Sequence, residues 1–149
     1  MDISDRASGQ GHHLLQLGVL LFLLALIVGL AVPSFAVPRL GLSAHLLGIM
    51  QGLFLIGTGL LWSRLTLTRA MSALAFYAVL YGCFAAWTAN VLAAVWGAGN
   101  SIVPMAAGQA RGSALQETII VVMLRSAALA LIGSTVMILW GLRRRTTLG

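Results

Sequence analysis

Five side chains that could take part in chemistry lie inside long apolar stretches of this sequence. His45 and Gln51 lie in one stretch, and Tyr81, Trp87 and Asn90 lie in a later one. A polar group in apolar surroundings is costly unless it has a partner, so each of these residues needs an explanation. A neutral imidazole such as His45 can ligate a metal or a haem iron, handle a proton, or bond to a carbonyl of a neighbouring helix. The residues alone leave these three roles open.

The composition excludes several classes of protein. Of the 149 residues, 60% are hydrophobic and 8% are charged, whereas soluble domains carry roughly 25% charged residues. The net charge of +6 comes from arginines scattered at the ends of the apolar stretches rather than from a basic patch. A soluble domain, a disordered tail and a nucleic-acid-binding module are therefore excluded. The single cysteine, Cys83, excludes a disulfide framework and a multi-cysteine zinc site.

The sequence lacks the residue patterns that several common catalytic mechanisms require. The sequence has no HExxH motif, no glycine-rich phosphate loop and no recognisable Ser-His-Asp signature. Asp2 and Asp5 lie in the N-terminal tail and leave Glu117 as the third acid, so hydrolysis by paired carboxylates is disfavoured. The remaining possibility is a site built from His, Asn, Gln, Tyr and Trp, with a cofactor supplying the electrophile.

Four apolar segments, at about residues 14–36, 41–61, 70–96 and 115–142, are each long enough to cross a bilayer. In lipid each must be a helix, because only a helix satisfies its own backbone groups. We therefore expect one all-α domain, an integral membrane four-helix bundle. Six arginines fall on one side and two on the other, which places both termini in the cytoplasm. The six are Arg6, Arg64, Arg69 and Arg143 to Arg145, and the two are Arg39 and Arg111. The inner membrane is the expected location of the protein.

Small residues in the second segment fall on one stripe of a helix. This stripe also carries His45 and comprises Gly41, His45, Gly48, Gly52 and Gly59. Small side chains allow another surface to approach the backbone closely. That surface is most often a neighbouring helix and less often a flat ligand. We expect tight packing and an oligomer.

Other polar and aromatic residues carry open alternatives. Gln51 and Asn90 are either hydrogen-bonding residues between helices or donors in a pocket. Tyr81 and Phe84 lie on one face of the third segment, and aromatic walls suit a small aromatic ligand. Four further residues could be structural or functional. His12 and His13 could be solvated at the membrane interface or act as ligands. Glu117 could be stabilised by the dipole at a helix N-terminus or act in catalysis. Arg125 could extend its charged end toward water or pair with another residue within the bundle.

The sequence resembles the hydroxylaminobenzene mutases from about residue 11 to residue 143. The resemblance implies a membrane isomerase that moves a hydroxyl group from nitrogen to the ortho ring carbon, converting small N-arylhydroxylamines to 2-aminophenols. It is carried by the order and spacing of several short runs. These are GHHLLQLG at 11–18, GLSAHLLG at 41–48, QGLFLI at 51–56, LYG at 80–82 with Trp87, AAVWGAG at 93–99, LQE at 115–117 and LWGLR at 139–143.

A weaker resemblance is to the styrene oxide isomerases, which are trimeric four-helix membrane enzymes with ferric haem b held between subunits. Their axial histidine matches His45, which makes His45 the implied iron ligand, and the amide six residues later matches Gln51. We expect Gly48 and Gly52 to flank the haem. Two positions of that family's pocket, an aspartate and a tyrosine, are occupied here by Gly82 and Asn90.

These resemblances imply a homotrimeric isomerase with ferric haem b as a Lewis acid. Gln51, Asn90 and Tyr81 would be catalytic, and Trp87 and Phe84 would bind the substrate. An isomerase acting on epoxides is the nearest alternative. A non-catalytic transporter or assembly subunit is an alternative of another class. An electron-transfer haemoprotein is a further one, although it usually needs a second axial histidine.

Overall fold

The structure is a computed structural model that describes the backbone of residues 3–143 and the side chains of residues 8–143. Four long helices and one short one make up this part of the chain, and it contains no strand. The all-α prediction is confirmed. All four long helices are long and apolar enough to cross a membrane. The helices are α1 (Ile3–Ala31), α2 (Pro38–Leu61), α3 (Arg69–Trp96), α4 (Pro104–Ala107) and α5 (Ala114–Gly141), with single 3-10 turns at Val32–Ser34 and Trp62–Arg64.

The helix ends are set by local sequence signals. Pro38 begins α2, where its missing N–H and fixed φ suit the first turn. Thr68 caps α3 by accepting the backbone N–H of Met71 at 3.3 Å. Gly97 ends α3 in the left-handed conformation, at φ 64°. Ser113 begins α5 in a reciprocal capping box with Gln116.

The long helices lie in the order α1, α2, α3, α5, and each packs chiefly against its neighbours in that order. α5 packs along α3 and makes no comparable contact with α1 or α2. As a result, only 17% of the most apolar 18-residue window is buried in α1, and the same share is buried in α5. The prediction of four apolar helices is confirmed, and buried side chains of all four form one core cluster. We call the arrangement a row, with α1 and α5 at its two edges. Both edge helices keep an uncovered apolar face.

Small residues hold α1 and α2 together in a repeating register. A Cβ built on Gly11 would lie 2.9 Å from the Gly59 carbonyl oxygen, and one built on Gly18 would lie 2.8 Å from the Gly52 carbonyl oxygen. Each contact is reciprocal, and the pairs are separated by seven residues on both helices. The antiparallel helices therefore approach at backbone contact, which confirms that Gly52 and Gly59 of the stripe face a neighbouring helix, whereas Gly41 lies against Phe35 of the α1–α2 link.

The two ends of the row are fixed differently. At the end where α2 finishes, Trp62 is buried and donates its indole N–H to Gln10 Oε1 at 3.0 Å. At the opposite end, the Val37 N–H donates to the Ala94 carbonyl at 3.2 Å and attaches the α1–α2 link to α3. These contacts fix the relative height of α1, α2 and α3.

Candidate functional site

His45 lies at the next step of the α1–α2 register, seven residues before Gly52 and opposite Ala25. Its Nδ1 is 2.8 Å from the Ala25 carbonyl oxygen. A carbonyl can only accept a hydrogen bond, so Nδ1 carries the proton and Nε2 of the neutral ring keeps a free lone pair. The ring lies against Gly29, where a Cβ would be 2.5 Å from Nδ1. The backbone of α1 thus fixes both the tautomer and the orientation of the imidazole.

A groove beside this imidazole opens on the surface of α1 and α2. Its volume is about 580 Å³. Apart from His45, its lining is apolar or glycine, and it includes Gly29 and side chains such as Leu26, Leu30 and Leu42. An apolar groove with one neutral nitrogen base can accept a flat apolar ligand or a metal-containing cofactor.

Two buried polar atoms lack partners where α2 meets α3. The indole Nε1 of Trp87 lies over Gly48, where a Cβ would be 2.6 Å from it, and it has no hydrogen-bond acceptor. Gln51 is 7% exposed, and its Oε1 has no donor. These are the unpaired buried side-chain polar atoms among the residues that the structure describes. Each is expensive to leave unpaired, so the pair marks a place where a ligand or water would be stabilised.

His45 and Gln51 do not face the same neighbour within one chain. Six residues separate them, so they lie about 120° apart around α2. His45 bonds to α1, whereas Gln51 lies on the side of α2 that is turned away from α1. Gly48 connects them, because its surface touches both Ala25 of α1 and Trp87 of α3. Gly48 thus lies on α2 one turn after His45 and against the Trp87 indole of α3, and Gln51 lies one turn further along α2. Within one chain neither Trp87 nor Gln51 lines the groove at His45.

The other expected site residues are spread over α3. Asn90 is 9% exposed and donates its Nδ2 to the Ala86 carbonyl one turn back at 3.0 Å, so that donor is already paired. Tyr81 is 50% exposed and lies 2.7 Å from Ser126 Oγ of α5. Phe84 packs against the apolar core of the row. A single chain does not gather Tyr81 and Phe84 around His45.

Gly48 and Gly52 face protein within the chain. Gly48 is covered by Ala25 and Trp87, and Gly52 lies against the backbone of Gly18 and Phe22. Both glycines permit close packing of helices. Their expected role beside a cofactor stays a prediction, carried only by their position on the helix that holds His45.

Glu117 has a structural role that the sequence only partly indicated. Its carboxylate accepts the backbone N–H groups of Gly99, Asn100, Ser101 and Gly112 at 2.9–3.3 Å. It thereby holds the irregular α3–α5 link at the head of α5. The carboxylate is occupied by these donors, which favours the structural alternative over the catalytic one.

The remaining candidates lie on the surface of the row. His12 is exposed, and His13 lies on the same turn with its Nδ1 2.7 Å from the Gly9 carbonyl. Arg125 is exposed on α5 and has no hydrogen bond or ion pair within residues 8–143. The side chain of Arg6, together with Arg144 and Arg145, lies outside the part of the chain that is described.

Sequence reasoning missed the two α1 positions that orient His45. Ala25 contributes only its carbonyl oxygen, and Gly29 contributes only the absence of a side chain. The signal was present in the spacing, because residues 11, 18 and 25 of α1 match residues 59, 52 and 45 of α2 at a seven-residue step.

Comparisons with known proteins complete the description. The family described as styrene oxide isomerase matches residues 10–143. Hydroxylaminobenzene mutase HabB of Ectopseudomonas oleovorans is 45% identical over 132 residues, covering 89% of this chain and 80% of that protein. Hydroxylaminobenzene mutase HabA of the same organism is 39% identical over 132 residues, covering 89% of this chain and 98% of that protein. No solved structure matches the chain.

Proposed function

The chain belongs to the styrene oxide isomerase family, and from that premise we propose that it is an isomerase acting on hydroxylaminobenzene and related N-arylhydroxylamines. The observation that carries this substrate choice is the 45% and 39% identity to two hydroxylaminobenzene mutases over nearly the whole chain. The product is the 2-aminophenol. The N–O bond breaks, a C–O bond forms at the ortho carbon, that carbon loses its proton and the nitrogen gains one, so the formula is unchanged.

The groove beside His45 suits the haem b that we propose as cofactor. With Nδ1 bonded to Ala25, the imidazole has only Nε2 left, and this atom would hold the iron. The apolar lining of Leu26, Leu30 and Leu42 suits the faces of a porphyrin. When bound, a ferric haem supplies a Lewis-acidic iron that makes the N–O group of the substrate electron-poor.

The chain's own residues have separate tasks in this proposal. Gln51 offers a buried amide oxygen that can accept a proton-bearing group of the substrate, and Trp87 offers a buried N–H that can donate to oxygen. Trp87 would hold the aromatic ring, and Phe84, Asn90 and Tyr81 would contact it where a neighbouring copy completes the site. The apolar surroundings keep water from the electron-poor intermediate.

The test is product formation by the purified protein with its substrate labelled by ¹⁸O on nitrogen. We expect 2-aminophenol that retains the label when the reaction runs in ordinary water. Loss of the label to solvent would mean that water attacks the ring, and the hydroxyl transfer proposed here would be wrong. Formation of no aminophenol by folded, haem-loaded protein would overturn the substrate assignment.

An epoxide is the second candidate substrate, because the matching family is described by styrene oxide. Both substrates carry an oxygen on the atom that is attached to the benzene ring, and both reactions require the bond between that atom and the oxygen to be weakened. Offering styrene oxide and hydroxylaminobenzene to the same preparation separates the two. We expect the higher kcat/KM for hydroxylaminobenzene. The comparisons also favour an isomerase over the non-catalytic transporter or assembly subunit.

We further propose that the protein spans the inner membrane as a homotrimer with both termini in the cytoplasm. The uncovered faces of α1 and α5 support an oligomer embedded in lipid. Arg64, Arg69 and Arg143 lie at one end of the row, and Arg39 and Arg111 lie at the other. This bias supports the orientation. Accessibility labelling of single cysteines introduced at the two ends would test it.

A further inference from the structure

Arg125 is a charged residue in the middle of an apolar helix face. It lies eleven residues after the start of α5, and it is exposed on the side of α5 that is turned away from α3. Exposed neighbours on this face include Val122, Leu129 and Ile132. An arginine in hydrocarbon is costly and normally has a partner. Arg125 has none within residues 8–143.

A second copy of this chain offers no acidic side chain at the depth of that guanidinium. Asp2 precedes α1 and Asp5 lies in its first turn, at the end of the row opposite to the start of α5, and Glu117 is the third acid of the sequence. Glu117 is at the head of α5 and already accepts four backbone N–H groups. The negative partner of Arg125 is therefore not a side chain of a neighbouring protomer within the membrane.

The groove at His45 has no positive charge of its own to pair with a negatively charged ligand. Its lining contains no positively charged side chain, yet a haem b bound there would bring two carboxylates with it. His45 lies seven residues and Arg125 eleven residues from the start of their helices, and both helices start at the same end of the row. These positions are about 10 Å and about 16 Å deep. Helical side chains tilt toward the N-terminus, which brings the guanidinium toward the height of His45.

We propose that Arg125 of one copy binds a carboxylate of the haem that His45 of a neighbouring copy holds. Within one copy the two residues cannot meet, because α5 lies at one edge of the row and the groove lies at the other, on α1 and α2. Placing the α5 face of one copy over the groove of the next covers both uncovered surfaces. This inference rests on the cofactor and the oligomer proposed above, and it adds a binding residue that the family resemblance does not supply.

The first test compares haem b with haem b dimethyl ester, in which both carboxylates are neutral. Haem-free protein is titrated with each, and binding is followed by the Soret band. We expect the wild type to bind the ester about 10-fold to 100-fold more weakly, as befits a lost charge-assisted hydrogen bond. Arg125→Gln should weaken haem b binding by a similar factor and should no longer distinguish the two. Arg39→Gln, at the same end of the row, is the matched control and should still distinguish them.

Equal binding of both haems by the wild type would overturn this inference. So would loss of the preference in Arg39→Gln rather than in Arg125→Gln. A folded protein with no Soret band would overturn both this inference and the cofactor proposal. The formation of 2-aminophenol by that same preparation would show that the proposed reaction survives without haem.

The second test asks whether the two residues come from different copies. Co-expressed His45→Ala and Arg125→Gln chains with different tags form mixed oligomers that can be isolated through both tags. In these oligomers an intact His45 can face an intact Arg125 only across an interface. We expect each mixed trimer to contain one haem site with the wild-type preference for haem b over the ester, since one intact His45 then faces one intact Arg125. If every mixed oligomer instead bound haem as weakly and with as little discrimination as Arg125→Gln alone, the two residues would act within one copy and the proposal would be overturned.

Discussion

The Nδ1 atom of His45 is bonded at 2.8 Å to the carbonyl oxygen of Ala25, four residues before the glycine that supports the same ring. A main-chain carbonyl of a helix normally bonds to its own helix, and here it also accepts the imidazole N–H. The imidazole therefore needs no carboxylate to fix its tautomer. This arrangement keeps the groove beside it free of negative charge.

Gly29→Ala should displace the imidazole of His45. The added Cβ would lie 2.5 Å from Nδ1, so the ring must rotate or the helices must separate. We expect loss of the Soret band and at least a 10-fold fall in kcat/KM for hydroxylaminobenzene. Gly57→Ala is the control, because a Cβ there meets nothing within 4 Å. A Gly29→Ala protein with an unchanged Soret maximum would contradict the geometry described here.

His45→Ala should abolish haem binding and activity together. Removing the ring leaves a space next to Gly29 that free imidazole can enter, as engineered cavities accept small ligands. We expect added imidazole to restore part of the Soret band and part of the activity. His13→Ala, which removes a histidine bonded only to the Gly9 carbonyl, should leave both unchanged. Activity that persists in His45→Ala without haem would point to catalysis by side chains alone.

Gln51→Leu should separate stability from activity. Since Gln51 Oε1 is buried and unpaired, an apolar replacement removes a desolvation cost of about 1–3 kcal/mol. We expect an unchanged or higher melting temperature in detergent and a 10-fold or greater fall in kcat. Gln16→Leu, on the exposed face of α1, should change neither. A lower melting temperature with unchanged kcat would make Gln51 a structural residue.

Glu117→Ala should loosen the link between α3 and α5. Four backbone N–H groups lose their acceptor, and we expect a stability loss of about 2 kcal/mol or more. Hydrogen exchange followed by mass spectrometry should show faster exchange at residues 97–113 and little change in α1. Glu117→Gln retains one acceptor oxygen, so its exchange rate at residues 97–113 should lie between those of the wild type and Glu117→Ala. Equal exchange in all three proteins would mean that the carboxylate does not hold the link.

The elements were predictable from the sequence because hydrophobic length alone identifies a membrane helix. The contact of the glycine stripe with another helix was also predictable, because Gly52 and Gly59 permit an approach that larger residues forbid. These features depend on one helix or one pair of helices. They need no knowledge of the whole arrangement.

The other features of the fold and of the site depend on contacts between distant residues, which no local sequence pattern specifies. The order of the row, in which α5 packs along α3 and makes no comparable contact with α1 or α2, follows from how whole helix surfaces fit. The four donors of Glu117 come from a link in which Gly97, Gly99 and Gly108 take positive φ values, and no short sequence pattern specifies that path. The bond between Tyr81 and Ser126 joins residues 45 positions apart. The sequence marked each of these residues as polar but did not indicate its partner.

The seven-residue register of α1 and α2 determines how this protein tolerates changes in length. The backbone contacts of Gly11 with Gly59 and of Gly18 with Gly52 hold α1 and α2 together. The position of His45 along the helix axis is therefore determined by the helix pair rather than by the link that joins the two helices. Extra residues in the link at 32–37 should leave the imidazole in place. One residue inserted between positions 45 and 52 would rotate His45 by about 100° away from Ala25. Relatives that differ in their links can thus keep the same site, whereas a single deletion within the paired helices removes it.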